Sequence, residues 1–205
     1  MKRFNMILIL LFSLSWLAAV SQSPSEAAYL SGMRALDDGN YLVAKDEFTR
    51  ALAADPTNVD AYTGRGQALQ NLKDIQGAID DYTSAVKLDP ANTGALFCRG
   101  EASYLIQDYD GAIEDMNAVI QQDPGRAEAY LCRADARYGL GLYRDAIPDY
   151  DRVVALQPAN TQAWQSAGYA RLKAGDTAGA CMNWQKALDM GNKNVELLIE
   201  KYCSK

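Results

Sequence analysis

The side chains that could carry out chemistry in this chain are its cysteines and carboxylates, because the 205-residue sequence contains no histidine. The commonest general base and the commonest metal ligand of proteins are therefore missing. The four cysteines, Cys98, Cys132, Cys181 and Cys203, show no C-x-x-C spacing, so neither a zinc site nor a thioredoxin-like motif is indicated. A cysteine nucleophile would also lack a histidine to activate it. The sequence predicts no catalytic residue, no cofactor and no metal site.

The charge balance argues against nucleic acid as a partner. The formal net charge is -6, from 26 acidic and 20 basic residues, and the basic residues are scattered along the chain. Contacts to phosphate need clustered lysine and arginine side chains. Adjacent carboxylates such as Asp37 and Asp38 point apart on a helix, so we interpret them as surface charge rather than as an acid–base pair.

Residues 1–21 have the three-part pattern of a secretory signal peptide. Lys2-Arg3 gives a positive start, residues 6–20 form an almost unbroken apolar run, and small side chains precede Ser21. The run is short for a membrane span, which needs about 20 residues. We predict cleavage after Ser21; the alternatives are cleavage after Ala19 and an uncleaved anchor. The mature chain is then exported, periplasmic or secreted, with no transmembrane span, and disulfides persist in such compartments.

Prolines recur with a period of 34 residues through the rest of the chain, at Pro56, Pro90, Pro124 and Pro158. A fixed period of this length indicates a repeat architecture. Counting from these prolines divides the chain into five units: 25–58, 59–92, 93–126, 127–160 and 161–194. Residues 193–203 follow as a predicted capping helix, because the open end of a repeat stack exposes an apolar face.

Small and large side chains return at fixed positions within these units. Alanine occupies the third position of every unit and also the twentieth: Ala44, Ala78, Ala112, Ala146 and Ala180. The eighth position is small, and the twenty-fourth is large: Phe48, Tyr82, Met116, Tyr150 and Trp184. Small residues let two helices approach closely, and alternation of large with small is what close packing requires. Each unit is therefore predicted to be a pair of packed helices.

The turn between the two helices of a unit is marked by glycine at position 15 and a capping residue at position 16. Asn40, Asp74, Asp108 and Asp176 stand at position 16 and suit a helix N-cap. The fourth unit departs from this pattern, with Leu142 at position 16 and Pro148 inside the expected second helix. Because an interior proline breaks or kinks a helix, this helix is expected either to start late or to bend.

These positions resemble the tetratricopeptide repeat (TPR) family over residues 25–194. The second unit matches the family pattern at Tyr62, Gly66, Ala78, Tyr82, Ala85 and Pro90. The fifth unit matches at Trp164, Gly168, Ala180, Trp184 and Ala187, with Asn192 in place of proline, and the first unit is weaker. The resemblance implies an all-α fold: a right-handed solenoid of five helix-turn-helix repeats with a concave groove, plus the C-terminal capping helix.

Arginine at position 7 and aspartate at position 23 occur together in the middle three units and are both missing from the first and fifth. Position 7 is Arg65, Arg99 and Arg133 and position 23 is Asp81, Asp115 and Asp149, whereas the first and fifth units lack both residue types. We predict a structural ion pair between the two helices of each middle unit; anion binding by the arginines is the alternative.

A disulfide between Cys181 and Cys203 is predicted for an exported protein. Cys181 stands on the inward side of the last unit's second helix, where the middle units carry isoleucine, and Cys203 lies near the end of the segment that should cover that side. Residues 180–203 also look like the closing segment of many secreted bacterial TPR proteins. Two free buried thiols are the alternative. Cys98 and Cys132 occupy equivalent positions in adjacent units, too far apart to be bridged, and are predicted to be free.

The groove is the predicted binding site, because the resemblance places positions 2, 5, 9, 12 and 13 of each first helix along it. Apolar and acidic side chains alternate at these positions: Tyr29, Met33, Asp60, Phe97, Glu101, Tyr104, Glu128, Leu131, Asp135, Tyr138 and Tyr169. Apolar anchors among carboxylates suit a peptide with basic and apolar residues. The alternative is that the aromatic rings belong to the core and the acids form a solvated face.

The sequence therefore favours a non-enzymatic, extracytoplasmic scaffold that binds a protein or peptide segment, with no small-molecule substrate. One alternative is a self-associating structural subunit of an envelope complex. Another is an enzyme or a carbohydrate-handling envelope protein, which would need a convergent pair of carboxylates with raised pKa in a closed pocket.

Overall fold

The computed structural model describes residues 23–204, which form five consecutive helical hairpins and a closing helix. The hairpins pair α1 Pro24–Asp37 with α2 Tyr41–Ala54, α3 Val59–Asn71 with α4 Ile75–Leu88, α5 Thr93–Leu105 with α6 Tyr109–Gln122, α7 Ala127–Gly139 with α8 Tyr143–Leu156, and α9 Thr161–Lys173 with α10 Thr177–Asp189. A 3₁₀ turn, Lys193–Val195, leads into α11, Glu196–Cys203. The predicted signal peptide, residues 1–21, lies outside the described residues. Within residues 23–204, no helix is both long enough and apolar enough to span a bilayer.

The first helices of the repeats form the inner layer of the stack. Every helix packs against the next one in the chain, and α1, α3, α5 and α7 also contact one another in succession. Helical pairs that contact only their neighbours build a curved solenoid. The first helices therefore line its concave side, and the second helices form its outer side.

Side-chain caps define where most of these helices begin. Asn58, Asn92 and Asn160 each accept a hydrogen bond from the backbone N–H three residues later, at 2.9, 2.9 and 3.0 Å. The aspartates at position 16, Asp74, Asp108 and Asp176, cap second helices in the same way. Asn40 makes no side-chain cap, contrary to the expectation for that position.

The turns inside the hairpins require a left-handed residue at position 15. Gly39, Gly141 and Gly175 adopt positive φ angles of 73°, 77° and 91° there. The other two repeats place Lys73 and Gln107 in the same conformation, with φ of 70° and 65°. Those two repeats therefore carry backbone strain that glycine would avoid.

The core consists of the small and large positions that the sequence singled out. The five position-20 alanines are fully buried, including Ala78 and Ala112, and so are the large residues at position 24. A Cβ atom added to Gly66 would lie 2.5 Å from the Tyr82 ring of the same repeat. A small residue at position 8, glycine in four repeats and Ala134 in the other, is thus what lets the large residue lie across the first helix.

Pro148 lies inside α8, which starts at the same repeat position as every other second helix. The late start that the sequence allowed is therefore excluded. Arg137 donates to the carbonyl oxygen of Asp145 at 3.1 Å. The carbonyl that loses a helical partner to the proline is that of Arg144, four residues before Pro148, so the contact with Asp145 lies one residue farther along the same turn.

The C-terminal end of the stack is covered by α11, which contributes no fully buried residue of its own. Cys203 of α11 is bonded to Cys181 of α10. Val195 is buried just before α11, and the Tyr202 ring lies 6.0 Å from the Trp184 ring. The cap is therefore held by one covalent bond and a small apolar contact. Cys98 and Cys132 are free thiols.

Candidate functional site in the concave groove

Three adjoining cavities run along the inner face of the solenoid. The N-terminal cavity, about 340 Å³, is lined by Leu36, Tyr41, Gln67, Gln70, Asn71, Tyr82, Cys98 and Glu101. The central cavity, also about 340 Å³, is lined by Gln70, Glu101, Tyr104, Leu105, Glu128, Leu131, Cys132 and Asp135. The C-terminal cavity, about 260 Å³, is lined by Asp135, Tyr138, Tyr150, Ser166 and Tyr169. Shared wall residues make the three cavities one continuous groove.

Seven of the eleven predicted groove residues line these cavities: Glu101, Tyr104, Glu128, Leu131, Asp135, Tyr138 and Tyr169. The other four do not. Tyr29 and Met33 pack against the core of the first repeats, and Asp60 is exposed in the first turn of α3. Phe97 packs beside Leu96 and Cys132, and its face is covered by Arg126.

Two tyrosines of the outer layer also reach the groove, and sequence reasoning missed them. Tyr82 of α4 donates its hydroxyl hydrogen to Gln70 Oε1 at 3.1 Å, and Tyr150 of α8 donates to Asp135 Oδ1 at 2.6 Å. Tyrosine is the one residue type at position 24 that ends in a hydroxyl group, which can both donate and accept a hydrogen bond. That feature was the available signal, because phenylalanine, methionine or tryptophan at this position has no hydroxyl to present.

Gln67 and Gln70 form most of the polar wall of the N-terminal cavity. They occupy positions 9 and 12 of the second repeat, which the family resemblance had already placed on the groove. The sequence analysis missed them because it selected only apolar and acidic residues from those positions. The groove therefore has one carboxylate, that of Glu101, in the cavity at this end and three carboxylates in its central cavity.

Two carboxylates of the central cavity, Glu101 and Asp135, are destabilised as anions by burial in the folded chain. Burial raises the pKa of Asp135, and the hydrogen bond from Tyr150 opposes this shift. Desolvation likewise raises the pKa of Glu101, the Arg126 guanidinium opposes it, and the Glu128 carboxylate adds to it. Both carboxylates are thus less stable as anions here than in water, and a cation brought into the cavity would stabilise them.

Asp135→Asn is expected to stabilise the fold at neutral pH. A carboxyl group whose pKa is raised on folding opposes folding when it is ionised; this penalty is full above the folded-state pKa and disappears as the pH falls toward the unfolded value of about 3.9. Asparagine keeps the Oδ1 that accepts from Tyr150. Urea unfolding should therefore show a higher free energy of unfolding for the variant at pH 7 and equal values near pH 3.

The control for this prediction is Glu114→Gln, which changes an exposed carboxylate on the outer helix α6. It should leave stability nearly unchanged at both pH values. A destabilising Asp135→Asn at pH 7 would contradict the electrostatic account of the groove.

The structure brings the six predicted ion-pair residues together as three bidentate pairs. Arg65 donates to both oxygens of Asp81 at 2.7 Å. The corresponding shortest distances are 2.6 Å for Arg99 with Asp115 and 2.6 Å for Arg133 with Asp149. The aspartates are buried between the two helices of their repeats, and none of the six residues lines the three cavities.

One further arginine, Arg137, also donates to Asp149 at 2.6 Å. The sequence analysis missed this contact. Position 11 carries an arginine in the last two repeats, Arg137 and Arg171, but the fifth repeat has Asn183 instead of an aspartate at position 23. Asp149 thus binds two guanidinium groups, and the two arginines are engaged inside the fold.

The fold and the groove together define a helical-repeat scaffold. Its hairpins are held by small-to-large packing at positions that recur in every repeat, whereas the residues of the inner face differ from one repeat to the next. The family described as tetratricopeptide repeat matches residues 29–93, 69–127 and 132–194. The chain therefore belongs to the tetratricopeptide repeat family, whose members are generally non-enzymatic and bind proteins or peptides.

Solved structures with the same fold include those of MamA proteins. One MamA crystal structure is 24% identical to this chain, with a TM-score of 0.78, and the match covers 88% of this chain and 96% of that one. A second is 25% identical, with a TM-score of 0.75 and coverage of 80% and 96%. MamA from Desulfovibrio magneticus RS-1 is 22% identical, with a TM-score of 0.78 and coverage of 82% and 94%. No curated protein sequence matches the chain significantly.

Proposed function

We propose that this protein is an exported scaffold whose concave groove binds an extended protein segment with apolar and basic side chains. The observation that carries the proposal is the central cavity, which combines Tyr104 and Leu131 with the carboxylates of Glu101, Glu128 and Asp135. Apolar surface supplies binding free energy, and carboxylates select the charge of the partner.

Charge complementarity favours a basic partner over an acidic one. The walls of the three cavities contain carboxylates but no lysine or arginine. An acidic segment would meet like charges in a partly desolvated groove, whereas a lysine or arginine would relieve the cost of burying Glu101 and Asp135. Binding of a partner's C-terminal carboxylate is unsupported. It would need cationic and amide side chains, but Gly64, Cys98 and Cys132 stand at the positions that would have to supply them.

The spacing of the cavities indicates which side chains of a bound segment the groove would contact. Neighbouring first helices lie about 8–10 Å apart in typical helix packing, which is the length of about three residues of extended chain. A segment lying along the groove would therefore place every third side chain in successive cavities.

Export is supported by two independent features. Residues 1–21 carry the signal-peptide pattern, and the Cys181–Cys203 bond is of a kind that persists in oxidising compartments. A periplasmic or secreted site of action follows, and the partner is then a protein of that compartment. We propose no catalytic step, since the groove is open along its length and its carboxylates lie among apolar anchors.

The test of groove binding is the combined variant Tyr104→Ala, Leu131→Ala and Tyr138→Ala. Each anchor truncation at a binding hot spot costs about 1 kcal/mol or more, so affinity for the natural partner should fall on the order of 100-fold. The measurement is quantitative capture from the native cell envelope by the immobilised mature chain, with circular dichroism to show that the helices are retained.

The matched control truncates three apolar side chains that are exposed away from the cavities: Leu88→Ala, Met182→Ala and Leu197→Ala. Capture that survives the groove variant but is lost in the control would contradict the proposal. A fall in the molecular mass of the free protein in the groove variant would instead indicate the self-associating subunit.

A further inference from the structure

Arg126 stands where the other repeats place a helix-capping asparagine. The equivalent positions in the first, second and fourth repeats are Asn58, Asn92 and Asn160, and each of these side chains accepts a backbone hydrogen bond at the start of the next helix. Arg126 makes no such bond, and α7 begins without a side-chain cap. Loss of a good N-cap is destabilising.

The arginine side chain lies over the Phe97 ring instead. Its guanidinium carbon is 3.8 Å from the ring centroid. Within residues 23–204 the guanidinium forms no hydrogen bond and no ion pair within 4.0 Å, although its charge is close enough to act on Glu101 and Cys98. Arg126 is thus a half-buried cation at the edge of the acidic part of the groove.

Stability alone does not account for an arginine instead of a capping asparagine at this position. A cation stacked on an aromatic face and a side-chain N-cap stabilise a folded chain by similar amounts. The gain and the loss therefore nearly cancel. What changes is the groove, because the Phe97 ring is covered and part of the negative charge of Glu101 is offset.

We propose that Arg126 is a specificity-determining residue of the groove: from within the chain, it covers the aromatic face of Phe97 that a basic side chain of the partner would otherwise use. The inference rests on the proposed function. With Phe97 covered and the charge of the nearby Glu101 partly offset by the guanidinium, a partner's cation is directed to Glu128 and Asp135, farther along the central cavity. The groove then accepts fewer basic side chains than its carboxylates alone would allow.

The experiment uses a fluorescent nonapeptide with blocked termini, arginine at every third position and leucine elsewhere. Its matched probe carries citrulline, which is neutral and nearly isosteric, in place of each arginine. Arg126→Asn should bind the arginine peptide about 5- to 10-fold more tightly than the native chain does and the citrulline peptide with little change. Its melting temperature should be equal or higher, because the cap is restored.

Arg126→Gln serves as a second variant that removes the charge without supplying the cap, and it should also bind the arginine peptide more tightly than the native chain does. Unchanged or weaker binding of that peptide by both variants overturns the inference. If Tyr104→Ala still weakens binding in that case, the proposed function stands. If Tyr104→Ala leaves peptide binding unchanged, or if neither the native chain nor Arg126→Asn binds the peptide, the groove proposal fails together with the inference.

Discussion

Asp149→Asn is expected to lower the free energy of unfolding by about 3 kcal/mol. Asp149 is 3% exposed and accepts hydrogen bonds from both Arg133 and Arg137. Removing one partner of a buried ion pair leaves uncompensated charge and costs about 3–5 kcal/mol. The lower end of that range applies because the arginine side chains keep 15% and 24% of their exposure, so water screens part of the unpaired charge.

The matched control is Asp115→Asn. Asp115 is equally buried, at 3% exposure, but it binds a single guanidinium, that of Arg99. Its replacement should therefore cost less than that of Asp149. Urea unfolding measures the free energy of unfolding of both variants. If the dependence of that free energy on urea concentration is unchanged, the difference lies in the folded state. An equal or larger loss in Asp115→Asn would contradict the role assigned to the second arginine.

Replacing Cys181 and Cys203 together by serine should cost about 3 kcal/mol. The bond joins residues 22 apart in sequence, and closing a loop of that size in the unfolded chain accounts for about 3 kcal/mol in the chain-entropy description. The loss should be concentrated at the C-terminal end, because α11 has no fully buried residue to hold it once the bond is gone. Detachment would expose the apolar end of the last repeat around Trp184.

Hydrogen exchange of α11 and unfolding by urea measure the two parts of this prediction. Exchange in residues 193–204 should accelerate well before the inner repeats open. Cys98→Ser, which changes a free thiol that makes no covalent bond, is the control. If the double serine variant kept the native exchange rates in α11, the apolar contacts of Val195 and Tyr202 would be sufficient to hold the cap.

The features that could be predicted from the sequence are those that recur in several repeats. Alanine at position 20 and a large residue at position 24 appear in all five units, and each is buried as that periodicity implies. The same logic identified the arginine and aspartate partners, because they appear and disappear together in the three middle units.

The features that were missed depend on residues that recur weakly or not at all. Position 34 is an arginine only at Arg126, and position 11 is an arginine in the last two repeats, of which only the fourth has an aspartate at position 23. Phe97 was assigned to the groove because its repeat position permitted it, but the fold allows a neighbouring turn to cover the ring. Side-chain competition of this kind depends on distances that a repeat position does not specify.

Asn40 illustrates the opposite limit of the repeat pattern. It is a good capping residue at the capping position, yet its side chain makes no cap hydrogen bond. The backbone angles of Asn40, φ -84° and ψ 63°, are close to those of the capping Asp74, φ -87° and ψ 73°. The difference therefore lies in the side-chain conformation, which residue type and repeat position do not specify.

The central claim is that the inner face of the solenoid is where a protein partner binds. A photo-reactive phenylalanine analogue placed at position 104 in the central cavity, and in a second protein at the exposed outer position 114, tests this directly in the native envelope. The account predicts a discrete cross-linked partner from position 104 and none from position 114. Cross-linking of the same partner from position 114 but not from position 104 would contradict it.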